Sequence, residues 1–334
     1  MASCAPNKQQ QDMYEWVQAT GNAGFPPRDG AGALVYNDRM WLLGGWNPED
    51  RTNFPMGTNN EVWSSNNGSI WTLEKANTFL DEGFDVNNDW EGRHTAGYVV
   101  FRDKMWIIGG DADQGHYQSD VWNSEDGKSW VWVNKGNPVP WGPRVLFYTV
   151  VFKDKIWVIG GQTIPAMAEA DEIYYSDIWN TSDGINWEQI KPDQPSWPAR
   201  GMIGGSVIFN DRIWILGGGS VLDYSTNKRE YNKDIWSSSD GKNWTLHTAS
   251  VEWFPRSYHD VAVFDGFMWV LAGHNVYNRN DVWHSNDGVT WNELPNTPWR
   301  PRHASSVFVF DNSLWVVAGN NMQSDAWRLN TRSN

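Results

Sequence analysis

Cysteine is almost absent from the sequence, since Cys4 is the only one among 334 residues. A single cysteine excludes an intramolecular disulfide and a thiolate metal cluster. Positive charge is also scarce, with 26 Lys and Arg against 40 Asp and Glu and a net charge of −14. Because phosphate neutralisation needs a basic face, this charge argues against a nucleic-acid partner. No apolar run reaches the roughly 18 to 20 residues of a membrane-spanning helix, so we expect no transmembrane segment.

Aromatic residues, by contrast, are abundant. Tryptophan occupies 25 positions, aromatic residues make up 15% of the chain and hydrophobic residues 40%. Such a composition is too apolar and too aromatic for a disordered chain, so the sequence predicts a folded protein with a large core.

A nine-residue segment with tryptophan at both ends recurs along the chain, and we call each copy a box turn. The five copies are WSSNNGSIW (63–71), WNSEDGKSW (122–130), WNTSDGINW (179–187), WSSSDGKNW (236–244) and WHSNDGVTW (283–291). The constant spacing indicates one supersecondary unit used repeatedly. Its Asp or Asn can accept hydrogen bonds from a tight turn and its Gly can adopt positive φ, so we predict a structural role. A calcium or sugar site at the boxes is the alternative, and we expect no other metal and no cofactor.

An antiparallel hairpin precedes each box turn, and a sixth hairpin follows the last one. The second strands of these hairpins carry Trp41, Trp106, Trp157, Trp214, Trp269 and Trp315. The sixth repeat ends near Leu329 without a box, whereas Tyr14 to Ala19 resembles the strand that follows a box. We therefore predict an all-β chain, a single six-bladed β-propeller of four-stranded antiparallel blades over residues 14–330. The N-terminal strand would complete the C-terminal blade and leave no open sheet edge, and residues 1–13 would form a flexible tail or tether.

The repeat resembles that of Kelch propellers, which have two glycines after an apolar strand and aromatic residues on the third and fourth strands. The glycine pairs are Gly44-Gly45, Gly109-Gly110, Gly160-Gly161 and Gly217-Gly218, with Ala272-Gly273 and Ala318-Gly319 as departures. The box turn resembles the Asp-box of sialidases, although it is one residue shorter. The resemblance implies the fold and leaves activity open, because Kelch propellers include enzymes, lectin-like binders and protein adaptors. The copper site of galactose oxidase is excluded, since the propeller has no cysteine.

An aromatic residue stands three positions before an arginine at the start of each predicted innermost strand. The pairs are Phe25 and Arg28, Trp90 and Arg93, Trp141 and Arg144, Trp197 and Arg200, Trp253 and Arg256, and Trp299 and Arg302. The Kelch resemblance implies that these arginines ring the channel mouth, where guanidinium groups would favour carboxylate, sulfate or phosphate. The alternative is that each arginine stacks on tryptophan and pairs with the acid two residues before a third-strand Trp, which would lock blade to blade.

Residues that break the sixfold repeat are candidates for a site as well. Tyr148 is a further ligand-binding candidate, together with the six arginines and the five tryptophans paired with them. Catalytic candidates are Glu172 and Glu230 in long loops, and Tyr258 and His259 after Arg256. A carboxylate above an arginine-rich mouth would suit general acid–base chemistry on a glycoside. His94 and His303 directly follow an arginine, and strand alternation predicts that His94 and Arg93 face opposite sides.

Three functions remain open from the sequence. The first is a monomeric propeller that binds a small anionic carbohydrate or similar oxyanion at the arginine- and aromatic-rich face of the channel. The second is an enzyme on that face, a sugar-acid epimerase, lyase or glycosidase. The third is a protein-interaction propeller that binds an acidic peptide.

The N-terminal MASC resembles a bacterial lipobox, in which small residues precede a cysteine that becomes lipidated. This interpretation predicts a secreted, periplasmic or surface lipoprotein that is tethered to a membrane through Cys4. The alternative is an ordinary start with an incidental cysteine.

Overall fold

The computed structural model describes residues 13–49, 57–111, 116–142, 144–163, 173–194, 196–201, 205–223 and 228–332. Within these ranges the regular structure consists of β-strands, and six four-stranded antiparallel sheets form the blades of a propeller. The predicted fold class is confirmed. No helix in the described part of the chain is long and apolar enough to cross a bilayer.

The blades follow one another along the chain after a first strand, β1 (Tyr14–Thr20). Blade 1 contains β2 (Gly32–Tyr36), β3 (Arg39–Leu43), β4 (Val62–Ser65) and β5 (Thr72–Lys75). Blade 2 contains β6 (Gly97–Phe101), β7 (Lys104–Asp111), β8 (Tyr117–Ser124) and β9 (Val131–Trp132). Blade 3 contains β10 (Tyr148–Phe152), β11 (Lys155–Ile159), β12 (Ile178–Thr181) and β13 (Trp187–Ile190).

Blades 4 and 5 each carry an additional hairpin between their second and third strands. Blade 4 contains β14 (Gly205–Phe209), β15 (Arg212–Leu216), β18 (Ile235–Ser238) and β19 (Trp244–Thr248), with the hairpin β16 (Gly219–Asp223) and β17 (Lys228–Tyr231). Blade 5 contains β20 (Asp260–Phe264), β21 (Phe267–Leu271), β24 (Val282–Ser285) and β25 (Asn292–Leu294), with the hairpin β22 (His274–Asn275) and β23 (Tyr277–Asn278). Blade 6 contains β26 (Ser306–Phe310), β27 (Ser313–Val317) and β28 (Ala326–Thr331).

Strand β1 completes blade 6, as the sequence predicts. It pairs antiparallel with β28, with Trp16 opposite Leu329 and Tyr14 opposite Thr331. The first strands of the blades contact one another in the order β2, β6, β10, β14, β20 and β26, and β26 contacts β2 again. The ring is therefore closed around a central channel, and the seam between the two chain ends lies within one sheet.

The box turns join neighbouring blades by packing on tryptophan. Gly127 of the blade 2 box has φ +72°, and a Cβ atom placed on it would lie 2.3 Å from the ring of Trp41 in blade 1. The boxes of blades 1, 3, 4 and 5 lie on the equivalent tryptophan of the preceding blade: Trp315, Trp106, Trp157 and Trp214. Blade 6 has no box, and there the ring of Tyr14 covers Trp269 with 5.1 Å between centroids.

Hydrogen bonds inside each box hold the turn. Asp126 Oδ1 accepts the backbone N–H groups of Lys128 and Ser129, both at 2.8 Å, and Ser124 Oγ accepts the N–H of Gly127 at 2.8 Å. Burial acts to raise the pKa of Asp126, but the two backbone donors outweigh burial and hold it below its ordinary value. The carboxylate of Asp126 therefore accepts hydrogen bonds from its own turn, in agreement with a structural role.

Candidate functional site

The six motif arginines are buried inside the blades, with 0 or 1% of each exposed. In blade 2, the guanidinium group of Arg93 donates to both carboxylate oxygens of Asp120, at 2.6 and 3.0 Å, and to the carbonyl of Gly109 at 2.9 Å. The other five arginines have the same kind of partner: Glu61, Asp177, Asp234, Asp281 and Asp325. Each pair ties the first, second and third strands of one blade together.

The aromatic residue before each arginine is buried too. The Trp90 ring is 5.8 Å from the Arg93 guanidinium carbon and 5.7 Å from Trp130, the second tryptophan of its box. Trp141, Trp197 and Trp253 contact the corresponding box tryptophans, and Trp299 contacts Trp16 of β1 instead. The geometry of these tryptophans and arginines is that of the structural alternative. Ligand binding by them stays a prediction.

That alternative needs one correction, since the arginine–carboxylate pairs lie within a blade rather than between blades. The link between blades uses the backbone of the same arginines. Gly45 N–H donates to the carbonyl of Arg93 in the next blade at 2.9 Å, and Gly319 N–H donates to that of Arg28 at 2.9 Å across the seam. A Cβ on Gly44 would lie 2.7 Å from the same Arg93 oxygen, which explains the glycine there.

The remaining sequence candidates lie in different places. Tyr148 is 1% exposed, and its hydroxyl donates to the carbonyl of Gly217 at 3.0 Å. His259 is also 1% exposed, and its Nε2 donates to the carbonyl of Leu216 at 2.9 Å. Glu230 is exposed on β17, and Glu172 and Cys4 lie outside the described residues. Of the catalytic candidates among the described residues, only Tyr258 lines the pocket described next.

A cavity of about 220 Å³ lies at the channel mouth, on the face that carries the second-to-third-strand loops, and we call it the mouth pocket. Most of its walls come from three positions of the repeat, although not every blade contributes at all three. The residue after the arginine contributes Asp29, His94 and His303. The next residue contributes Gly30, Thr95, Leu146, Tyr258 and Ala304. The residue after the glycine pair contributes Trp46, Asp111, His274 and Asn320, and Arg229 comes from β17.

The backbone holds these positions firmly. The residues after the arginine and after the glycine pair bond reciprocally, as Asp29 and Trp46 do at 3.0 Å in both directions. All five wall residues from the middle position have positive φ, between 48° and 58°. Thr95 N–H donates to Gly30 O, Gly30 N–H to Ala304 O, and Ala304 N–H to Tyr258 O. Left-handed backbone in non-glycine residues is concentrated at functional sites, where the surrounding structure must maintain it.

The walls of the mouth pocket differ from one side to the other. Blades 5, 6, 1 and 2 supply most of the polar groups and blade 4 supplies Arg229, whereas blade 3 supplies Leu146. Leu146 is 3% exposed and packs with Val145 against Tyr117, Tyr231 and Tyr258. The guanidinium carbon of Arg229 lies 5.6 Å from the centre of the Tyr258 ring. The pocket therefore combines an apolar side with a side rich in hydrogen-bonding groups.

A chain of amide hydrogen bonds runs along the polar side, and we call it the amide relay. Asn320 Nδ2 lies 3.0 Å from Asp29 Oδ2, and Asn278 Nδ2 lies 3.3 Å from Asn320 Oδ1. Asn278 Oδ1 in turn lies 2.7 Å from His303 Nδ1 and 3.2 Å from His274 Nδ1. One carboxylate is thereby connected to two imidazoles.

Burial decides the protonation of these groups. It raises the pKa of Asp29 to about 6, against the opposing influence of His94 and the bond from Asn320. Burial, with His274 and Arg229 nearby, lowers the pKa of His303 to about 3, and burial likewise lowers the pKa of His274. Near pH 7.5 the pocket thus holds an ionised Asp29 and two neutral imidazoles.

His94 stands on the opposite side of Asp29 and stacks on Trp46, with ring centroids 5.9 Å apart. Its Nδ1 lies 3.3 Å from the carbonyl oxygen of Asp111. His94 lines the pocket while Arg93 points into the blade, as strand alternation predicts.

Two other cavities are less suited to a specific small ligand. A groove of about 780 Å³ between blades 6 and 1 is open to solvent. A second cavity of about 220 Å³ lies deeper in the channel, where Ser305 Oγ donates to the half-buried Asp260. Among the described residues, no group of three or more His, Cys, Asp or Glu is placed to hold a metal ion.

Sequence reasoning singled out His94, His303 and Tyr258 but missed Asp29, Trp46, Asp111, His274 and Asn320. The signal was present in the repeat itself. These five residues occupy the positions after the arginine and after the glycine pair. The residue type at these positions differs from blade to blade, in contrast to the constant arginine and glycine beside them.

Several curated proteins are similar to the chain, although no protein-family model matches it. It is 23% identical over 290 residues to alpha-scruin of Limulus polyphemus, covering 80% of this chain and 28% of the relative. It is 22% identical over 286 residues to leucine-zipper-like transcriptional regulator 1 of Mus musculus, covering 80% and 31%. It is 23% identical over 146 residues to Kelch repeat protein M-T8 of Myxoma virus, covering 42% and 25%.

The chain spans less than a third of the length of these relatives, between 25 and 31%. The structure has the glycine pairs of the repeat and six blades that form a closed ring. Repeat, fold and similarity agree, and the chain is a Kelch-type six-bladed β-propeller.

Proposed function

We propose that this propeller binds a carbohydrate in the mouth pocket. The observation that carries the proposal is the combination of aromatic rings and convergent polar groups in one cavity. Trp46 and Tyr258 contribute aromatic rings to the lining, against which a sugar ring would pack, and Asp29, His94 and His303 stand beside them. Ligand sites are concave and mostly preformed, with a few polar groups that orient the ligand.

The six motif arginines do not enter this proposal, since each is buried and paired with a carboxylate. The proposed contacts come instead from positions that vary between blades. The reciprocal backbone bonds at Asp29 and Trp46 would hold such contacts in place before the ligand arrives, which lowers the entropic cost of binding.

Titration calorimetry with a panel of methyl glycosides and short oligosaccharides tests the proposal. Loss of an aromatic face by Trp46→Ala or Tyr258→Ala is expected to weaken binding roughly threefold to tenfold or more. Phe254→Ala is the matched control, because Phe254 is 62% exposed and lies outside the mouth pocket. No binding by any sugar, or an equal loss in the Phe254 variant, would contradict a carbohydrate site in this pocket.

An enzyme that acts on the same sugar is a second candidate, and Asp29 is the observation that favours it. A carboxyl with a pKa of about 6 inside a pocket can give and take a proton near neutral pH. Incubation with glycosides and uronate-containing glycans, followed by product analysis, tests this candidate. Turnover that survives Asp29→Asn would exclude Asp29 as its acid or base.

A further inference from the structure

The amide relay has a direction, and the direction follows from its end at Asp29. An ionised carboxylate only accepts hydrogen bonds, so Asn320 must present its Nδ2 to Asp29. The oxygen of Asn320 then faces Asn278, which must present its own Nδ2. Asn278 is left with Oδ1 towards both imidazoles, and that oxygen also only accepts.

This direction fixes the tautomers of the two histidines. Both His274 and His303 must carry their proton on Nδ1 in order to donate to Asn278 Oδ1. Because a neutral imidazole has one donor and one acceptor, the Nε2 atom of each becomes an acceptor. His94 obeys the same rule, since its Nδ1 faces the carbonyl of Asp111 and a carbonyl only accepts.

The polar side of the mouth pocket consequently offers mainly acceptors. They are the Nε2 atoms of the three histidines and the carboxylate of Asp29, and Arg229 is the cationic residue of the lining. We propose that the mouth pocket selects a neutral sugar through its hydroxyl donors, and that Asn278 and Asn320 are the positioning residues that set this polarity. The inference rests on the proposed function and specifies its ligand class.

An acidic sugar fits these groups poorly. Its carboxylate would approach the Asp29 carboxylate and the imidazole lone pairs, which cannot donate hydrogen bonds to it, and acceptors left unpaired on burial carry a desolvation cost. Arg229 lies beside Tyr258, and after burial its charge adds to the lowering of the pKa of His274 and His303, so this cation adjoins the imidazole end of the relay. A hydroxyl, in contrast, can donate to each of the acceptors on the polar side.

Nitrogen-15 NMR of the imidazole nitrogens in the 334-residue chain at pH 7.5 tests the relay without any ligand. We expect His274 and His303 to be Nδ1–H tautomers, and Asn278→Leu or Asn320→Leu to shift both towards Nε2–H. Asn321→Leu is the matched control, since Asn321 neighbours the relay but bonds Gln323 instead. Nε2–H tautomers in the unaltered protein, or an equal shift in the Asn321 variant, would overturn the assignment.

The second measurement compares sugars that differ only at C6, where a hydroxymethyl group is replaced by a carboxylate: methyl glucoside against methyl glucuronoside and methyl galactoside against methyl galacturonoside. A neutral sugar is expected to bind at least about tenfold more tightly than its acidic counterpart, and Asn278→Leu to reduce this preference. Equal or tighter binding of an acidic sugar would overturn the ligand class. If the tautomers are as expected but no sugar binds, the proposed function fails while the relay stands; if a sugar binds but the tautomers are Nε2–H, the relay fails while the function stands.

Discussion

The ionised form of Asp29 lowers the stability of the folded protein, but it is the form that would accept hydrogen bonds from a sugar in the proposed site. It is 5% exposed, and burial raises its pKa to about 6 from an ordinary value near 3.9. The folded protein therefore holds a proton on this group more tightly than the unfolded chain does. Between about pH 4 and pH 6 the ionised carboxylate becomes a growing cost to the folded state, and the full cost is present above pH 6.

Asp29→Asn is expected to stabilise the fold at pH 7.5, by about 1 to 3 kcal/mol, because it removes a buried charge. At pH 4 the stability difference should shrink to about 0.5 kcal/mol, since wild-type Asp29 is then protonated in the folded state and about half protonated in the unfolded chain. Urea denaturation at the two pH values measures both quantities, and sugar binding by the same variant should weaken. A variant that is less stable than wild type at pH 7.5 would show that Asp29 gains more from its partners than it loses by burial.

The residues of the site show why the sequence predicted them only in part. Arg28 and its five equivalents occur in every blade, because every blade needs an arginine–carboxylate pair to hold its strands together. Asp29 and Trp46 stand next to the repeated residues, but their meeting at one pocket depends on the closed ring. Arg229 reaches the pocket from a hairpin whose length no repeat constrains.

At the scale of an element, the box turn is both a turn and a contact surface. Its glycine needs positive φ, which the sequence indicates, and it also needs the absence of a side chain against the tryptophan of the preceding blade. The second requirement was not predictable from the box alone, because it arises only when blades are stacked side by side. The two requirements can be separated by substitution.

Gly127→Ala should destabilise the protein by roughly 2 to 4 kcal/mol, since it combines left-handed backbone with overpacking against Trp41. Gly136→Ala isolates the backbone contribution, because Gly136 has φ +76° but nothing within 4 Å of an added Cβ. We expect this control to cost only about 1 to 2 kcal/mol. Chemical denaturation of the two variants gives the comparison, and equal losses would mean that the contact with Trp41 adds nothing.

For the whole molecule, the blade number and the closure were predictable because they follow from counting hairpins and boxes. Six hairpins with five boxes leave one blade incomplete, and Tyr14 to Ala19 supplies the missing strand. The extra hairpins of blades 4 and 5 were not predicted, since their sequences have no counterpart in the other blades with which they could be compared. These non-repeating parts supply Arg229, His274 and Asn278 to the site and its relay.

Closure by β1 should govern the stability of the whole ring. A chain that starts at Gly21 loses the partner strand of β28, the ring of Tyr14 over Trp269 and the contact of Trp16 with Trp299. An unpaired strand edge and two uncovered tryptophans favour association with other chains, so we expect a lower melting temperature and oligomers or aggregates in size-exclusion chromatography. A chain that starts at Met13 is the matched control, because it keeps all of these contacts and should melt like the 334-residue chain. If both truncations melt at the same temperature and remain monomeric, the ring does not depend on its N-terminal strand, and the five blades made of consecutive strands must carry the stability by themselves.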